Sequence, residues 1–120
     1  MDSPRSLIVL DPAAAGEAAG PRPETILAGA PRAQAANQYA DERGEFFCGV
    51  WSCTAGRWRI RYTEHEFCVI LAGRVRIESS AGESREFGPG DAFVVPAGFE
   101  GTWEVLAPCR KWYAVYERAG

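Results

Sequence analysis

The chain has one histidine, His65, and one lysine, Lys111, set against twelve arginines. A single imidazole cannot build a histidine cluster, so a metal centre made mainly of imidazole is excluded within one chain. Cys48, Cys53, Cys68 and Cys109 contain no C-x-x-C pair, and such spacing is poor evidence for zinc. They read as small apolar side chains kept reduced in the cytoplasm. There is no basic surplus either: the net charge is -3 and the pI about 5.2. That balance offers nothing to a phosphate backbone, and nucleic acid is not an expected partner. No apolar run approaches a membrane span, so no membrane partner is expected. Ser6–Leu10 is too short for a signal peptide and runs straight into Asp11 and Pro12. Gly88-Pro-Gly90 lacks the spacing and the following helix of a phosphate-binding loop.

Aromatic residues are missing from the first 38 positions; all fourteen lie at Tyr39 or later. The 120 residues suffice for one core, and that core has to be built from the aromatic part. The expected organisation is an N-terminal arm, residues 1–44, partly flexible and docking on the barrel or a partner subunit, and a barrel domain, residues 45–120. Within the arm only Ser6–Leu10 has strand character. An exposed apolar strand invites pairing, which favours a homodimer.

From Glu45 onward, short β-runs alternate with turn residues. The runs are Phe46–Cys53, Trp58–Tyr62, Phe67–Leu71, Val75–Ser79, Ser84–Phe87, Ala92–Val95, Gly101–Leu106 and Trp112–Tyr116. Gly- and Pro-containing breaks separate them, and no ten-residue amphipathic helix competes. The class is all-β, a sandwich or barrel.

One residue breaks the pattern chemically. Glu66 opens an otherwise apolar strand, and a buried carboxylate needs a reason. The pair E-x6-G at Glu66 and Gly73, followed by G-x5-P-x-G at Gly90, Pro96 and Gly98, resembles the two signature motifs of the cupins. The words GVW (49–51), GRW (56–58), EFCVILAGRV (66–75), GDAFVVPAGFEGTWEV (90–105) and RKWY (110–113) are similar to single-domain cupins related to ureidoglycine aminohydrolase. The resemblance implies a jelly-roll (double-stranded β-helix) barrel, commonly dimeric, holding a metal or small ligand inside. It also implies metal ligands at positions 60, 62, 66 and 101. Here these are Ile60, Tyr62, Glu66 and Gly101, so three imidazoles are missing. No cofactor is therefore expected; a divalent metal on Glu66 with Tyr62, Cys68 or a bulged His65 is the alternative, and without a bulge His65 lies on the opposite strand face from Glu66.

Strand alternation places Tyr62, Glu66 and Cys68 on the interior face, with Trp103 on the return strand and Phe93 nearby. Glu66 and Tyr62 are the candidate catalytic residues; Trp103, Cys68, Phe93 and Lys111 are the candidate ligand contacts. A hydrogen-bonded structural carboxylate is the competing reading for Glu66, and a surface charge is the competing one for Lys111. Three functions follow: metal-free binding of a small metabolite, with or without catalysis; a metal-dependent enzyme of the ureidoglycine aminohydrolase type; and a dimeric module without chemistry. The first expectation carries a corollary, that Glu66→Gln folds normally and loses the ligand.

Overall fold

The structure, a computed structural model, describes residues 5–119; Met1–Pro4 of the expected arm and Gly120 of the expected barrel domain lie outside the described residues. The chain is all-β, with strands β1 (Glu17–Ala18), β2 (Ile26–Gly29), β3 (Ala33–Ala40), β4 (Phe46–Cys53), β5 (Gly56–Arg61), β6 (His65–Ser79), β7 (Ser84–Phe87), β8 (Ala92–Val95) and β9 (Glu100–Tyr116). No helix among the described residues is long and apolar enough to cross a membrane.

Two long strands organise the barrel. β6 and β9 pair antiparallel over nearly their whole lengths, and each passes from one half of the curled sheet to the other. The second edge of β9 carries β4 on one half and β5 on the other. The second edge of β6 likewise carries β8 and then β7. The inner faces of the two halves meet in a core that includes Cys68, Ile70, Val75, Ile77, Val95, Trp103 and Val105.

The residues expected to form two strands each, Phe67–Leu71 with Val75–Ser79 and Gly101–Leu106 with Trp112–Tyr116, belong to single bent strands. The bend sits where Gly73 meets Pro108. Gly73 adopts φ +83°, and a Cβ there would stand 2.1 Å from the Pro108 carbonyl oxygen. Register shifts between Ile70 and Val75 absorb the irregularity, so the buried positions of β6 change from even (66, 68, 70) to odd (75, 77). Simple alternation along β6 holds only up to this point.

Residues 17–40 are laid into the sheet: β3 pairs with β4, β2 with β5, and β1 covers the free edge of β3. Without these strands the outer edges of β4 and β5 would be open ladders. Small side chains suit this docking, because the backbones run close; a Cβ on Gly49 would stand 2.1 Å from the Ala36 carbonyl oxygen. Ser6–Leu10 forms no strand. β1 pairs with Gln34 and Ala35 only, and the segment after Leu10 is tied to the far end of β3 by side chains. Reciprocal hydrogen bonds between Asp11 and Gln38 (2.7 and 3.0 Å) hold it, and Arg110 Nη1 donates to the Pro12 carbonyl (2.9 Å).

Candidate functional site

The interior face of β6 presents Glu66 and Cys68, that of β9 presents Trp103 and Lys111, and β4 and β5 add Trp51 and Trp58. Tyr62 follows β5 immediately. Its backbone is clamped between the Phe99 carbonyl, which accepts its N–H (2.9 Å), and the Gly98 N–H, which donates to its carbonyl (2.7 Å). The turn Pro96-Ala-Gly98 thus aims the phenol inward.

Glu66 is 8% exposed and Lys111 3% exposed, and they meet: Lys111 Nζ lies 3.0 Å from Glu66 Oε2. Tyr62 donates its hydroxyl hydrogen to Glu66 Oε1 at 2.6 Å. Lys111 Nζ also stands 3.5 Å from Cys68 Sγ. Two indoles face the ammonium, with ring centres 4.1 Å (Trp103) and 4.6 Å (Trp51) away. A desolvated ammonium over an indole gains about 2 kcal/mol, and the carboxylate supplies the countercharge.

These contacts set the protonation states. Burial by itself would lower the Lys111 pKa, but the charge and hydrogen bond of Glu66 more than offset it and hold the ammonium above its ordinary value. Burial, with the Glu66 charge beside it, raises the Tyr62 phenol well above its usual range. Burial pushes the Cys68 thiol up to about 12, against the opposing pull of Lys111. At neutral pH the cluster holds a charged ammonium, an intact phenol and an inert thiol.

A cavity of about 120 Å³ adjoins the cluster, lined by Tyr62, Lys111, Trp51, Trp58, Trp103 and Ile60 and closed by Ala19, Pro21 and Ala33. Glu66 does not line it. The carboxylate sits behind Tyr62 and Lys111 and bonds to both. Cys68 is fully buried behind Lys111 and does not line the cavity either. Phe93 stacks on Phe87 (4.0 Å) and lines a separate cleft of about 230 Å³ with Ile77 and Phe99. Lys111 is not the surface charge that was its competing reading. His65 faces outward as alternation requires; its Nδ1 accepts the Ala97 N–H (3.1 Å) and its ring stacks on Tyr116. The wall formed by Ala19, Pro21 and Ala33 had no signal in the sequence, because Ala-, Gly- and Pro-rich text reads as linker. A larger groove of about 850 Å³ is open to solvent, and its exposed pairs, such as Arg61–Glu100 at 3.5 Å, contribute little.

The positions at which the resemblance implies metal ligands do not suit a metal here. Ile60 and Gly101 offer no donor atom, and the only carboxylate already carries an ammonium, which repels a second cation. Gly101 cannot be a simple loss of histidine on an unchanged backbone. A Cβ there would lie 1.9 Å from the Glu78 carbonyl oxygen, so β9 approaches β6 too closely for any side chain. Among the described residues no group of three or more His, Cys, Asp or Glu side chains is gathered in metal-binding geometry.

The family model of the EutQ-like cupin domain matches residues 40–113. The chain belongs to this cupin family. Among solved structures, a DUF861-family protein of unknown function from Pseudomonas syringae pv. tomato is similar at 27% identity and TM-score 0.81, covering 88% of this chain and 46% of that one. This cupin thus spans about half the length of that relative. A DUF861-family protein from Thermotoga maritima is 31% identical with TM-score 0.52, over 53% of this chain and 73% of the other. The Clostridium difficile EutQ protein, at 16% identity, TM-score 0.64 and coverage of 72% and 63%, shares the fold. No curated protein matches significantly.

Removing one member of the buried pair strands the other. Glu66→Gln is therefore expected to destabilise the cupin by about 3–5 kcal/mol in urea melts, against the corollary drawn from the sequence, while Glu66→Gln combined with Lys111→Met recovers much of the loss. Additive losses in the double variant would show that the two side chains do not interact.

The pKa shifts predict an alkaline limb. Cys68, Tyr62 and Lys111 all have raised folded-state values, so the unfolded chain releases their protons first and stability falls as pH rises. The loss starts near the ordinary thiol value of 9.0, with Cys53 and Cys109, raised to about 11, adding to Cys68. Urea midpoints should hold steady between neutrality and that point and fall above it; a flat profile through pH 11 would contradict the assignment.

Proposed function

We propose that this EutQ-like cupin binds a small metabolite in its interior cavity without a metal, with Tyr62, Lys111 and Trp103 as the polar contacts. The observation that carries the reading is the Glu66–Lys111 pair beside the cavity: the protein supplies its own cation where other cupins use a metal. The walls are aromatic with a few convergent polar atoms, the usual make-up of a small-molecule site. An ammonium and a phenol that both keep their protons are fixed hydrogen-bonding groups, not proton acceptors. This favours binding over general-base catalysis. The finer resemblance to ureidoglycine aminohydrolase transfers no activity, since shared fold does not carry chemistry and the metal ligands are replaced. Four free thiols fit a cytoplasmic protein.

Metabolites that raise the melting temperature of the wild-type protein should fail to do so in Ala33→Leu, which fills the cavity from the wall opposite the barrel strands. Undiminished stabilisation of that variant would place the ligand elsewhere. Elemental mass spectrometry on untagged protein purified without chelators should find well under one transition metal per chain. Near-stoichiometric metal would replace this reading with a metal-dependent enzyme.

A second reading concerns the partner, another copy of this chain. One row of side chains crosses the outer sheet face from β8 to β4 through Val94, Phe67, Ala114 and Cys48. Phe67 is 47% and Val94 58% exposed, and Leu7 and Val9 in the crossing segment are 93% and 88% exposed. Apolar surface of this kind in one molecule fits association. Sedimentation should show a dimer that Phe67→Glu with Val94→Glu converts to monomer; a monomeric wild-type protein would end this reading.

A further inference from the structure

The barrel is closed by strands on one side only. There the two halves of the curled sheet end in β3 with β1 and in β2, next to the cavity beside Lys111. On the other side they end in β8 and β7, which pair with β6 alone among the described residues. The cleft of about 230 Å³ lies between these two open edges.

Register fixes which side chains enter it. Phe87 is paired with Val75 and Arg85 with Ile77, and both partners are core positions of β6. Directly paired residues share a face, so Phe87 and Arg85 stand on the interior side of β7. Phe93, paired with the buried Cys68, comes from the interior side of β8. Phe87 and Phe93 stack with ring centres 4.0 Å apart, and Ile77 and Phe99 complete an apolar floor.

An arginine on this face has no structural reason to be there. Among the described residues Arg85 joins no ion pair, and neither does Glu83, which lines the same cleft two positions earlier. The next residue of β7 behaves differently: Glu86, on the outer face, is held by both Arg74 and Arg76. Arg85 and Glu83 are both exposed, so the mouth of the cleft carries one unpaired positive and one unpaired negative side chain above an aromatic floor. Strand rise sets their Cα atoms about 7 Å apart.

Charge then selects the ligand. A carboxylate alone would satisfy Arg85 and oppose Glu83, and an ammonium alone would do the reverse. A zwitterion satisfies both. The cleft has the volume of about eight waters at liquid density, enough for a branched aliphatic or phenyl side chain with the charged head left at the mouth.

We propose that the cleft between β7 and β8 binds an α-amino acid with an apolar side chain, its carboxylate on Arg85, its ammonium on Glu83 and its side chain against Phe87 and Phe93. This site is separate from the cavity beside Lys111 and does not depend on the reading given for that cavity.

The test is calorimetric titration of the full chain with L-phenylalanine, 3-phenylpropionate, 2-phenylethylammonium and glycine, which remove the ammonium, the carboxylate and the side chain in turn. L-Phenylalanine should bind at least about tenfold more tightly than each of the others. Arg85→Gln and Glu83→Gln change exposed side chains and should melt like the wild type, and each should weaken L-phenylalanine by about tenfold. Glu83→Gln should not weaken 3-phenylpropionate. Equal or tighter binding of 3-phenylpropionate or 2-phenylethylammonium would overturn the zwitterionic class, and equal binding of glycine would overturn the role of the aromatic floor. Undiminished L-phenylalanine affinity in Arg85→Gln, or no binding of L-phenylalanine to the wild-type protein at millimolar concentration, would overturn the site itself.

Discussion

The ammonium of Lys111 and the carboxylate of Glu66 join the two longest strands of the barrel at its interior, and most of the site follows from that contact. The pair orients Tyr62 through the second carboxylate oxygen. It places a positive charge between Trp51 and Trp103, and the Glu66 charge adds to burial in raising the Tyr62 phenol. A buried pair of this type is weak evidence for added stability, since two charges must be stripped of water to form it. Its cost is offset by the phenol, the two indole faces and the thiol around it. Both oxygens of the Glu66 carboxylate are thereby engaged, one by the ammonium and one by the phenol.

Backbone proximity constrains the same interior independently. β9 runs so close to β6 at Gly101 that no side chain fits, and it crosses Gly73 at Pro108 with equally little room. The bend at Gly73 lets β6 and β9 serve both halves of the sheet. One continuous ladder therefore carries Glu66 and Lys111 on one half and Trp103 on the other, and the cavity lies where the halves face each other.

Much of this was legible in the residues. Period-two alternation and regularly placed turns announced an all-β barrel, and the E-x6-G and G-x5-P-x-G spacings pointed to the cupins before any coordinate was known. Glu66 and Cys68 share the interior face as parity requires, because β6 has no bulge before Ile70; Tyr62 and Trp103 were placed inside from the cupin motif positions 62 and 101. His65 was placed outside by parity. Phe93 and Cys68 were put inside correctly, yet neither touches the cavity, because facing the interior and lining a void are different properties. The wall of Ala19, Pro21 and Ala33 was invisible, since alanine-rich text carries no periodic signal until an edge strand gives it something to dock on.

By itself, the order of residues determined the strand class, the family and the absence of the imidazole ligands, because all of these are local: they depend on spacing of two to seven residues. What only the tertiary structure decided is which groups meet. Glu66 and Lys111 are separated by most of the barrel domain in sequence and by one hydrogen bond in space. No local rule pairs a carboxylate with a lysine forty-five positions away; strand register does, and register is set by the packing of the two sheet halves against each other.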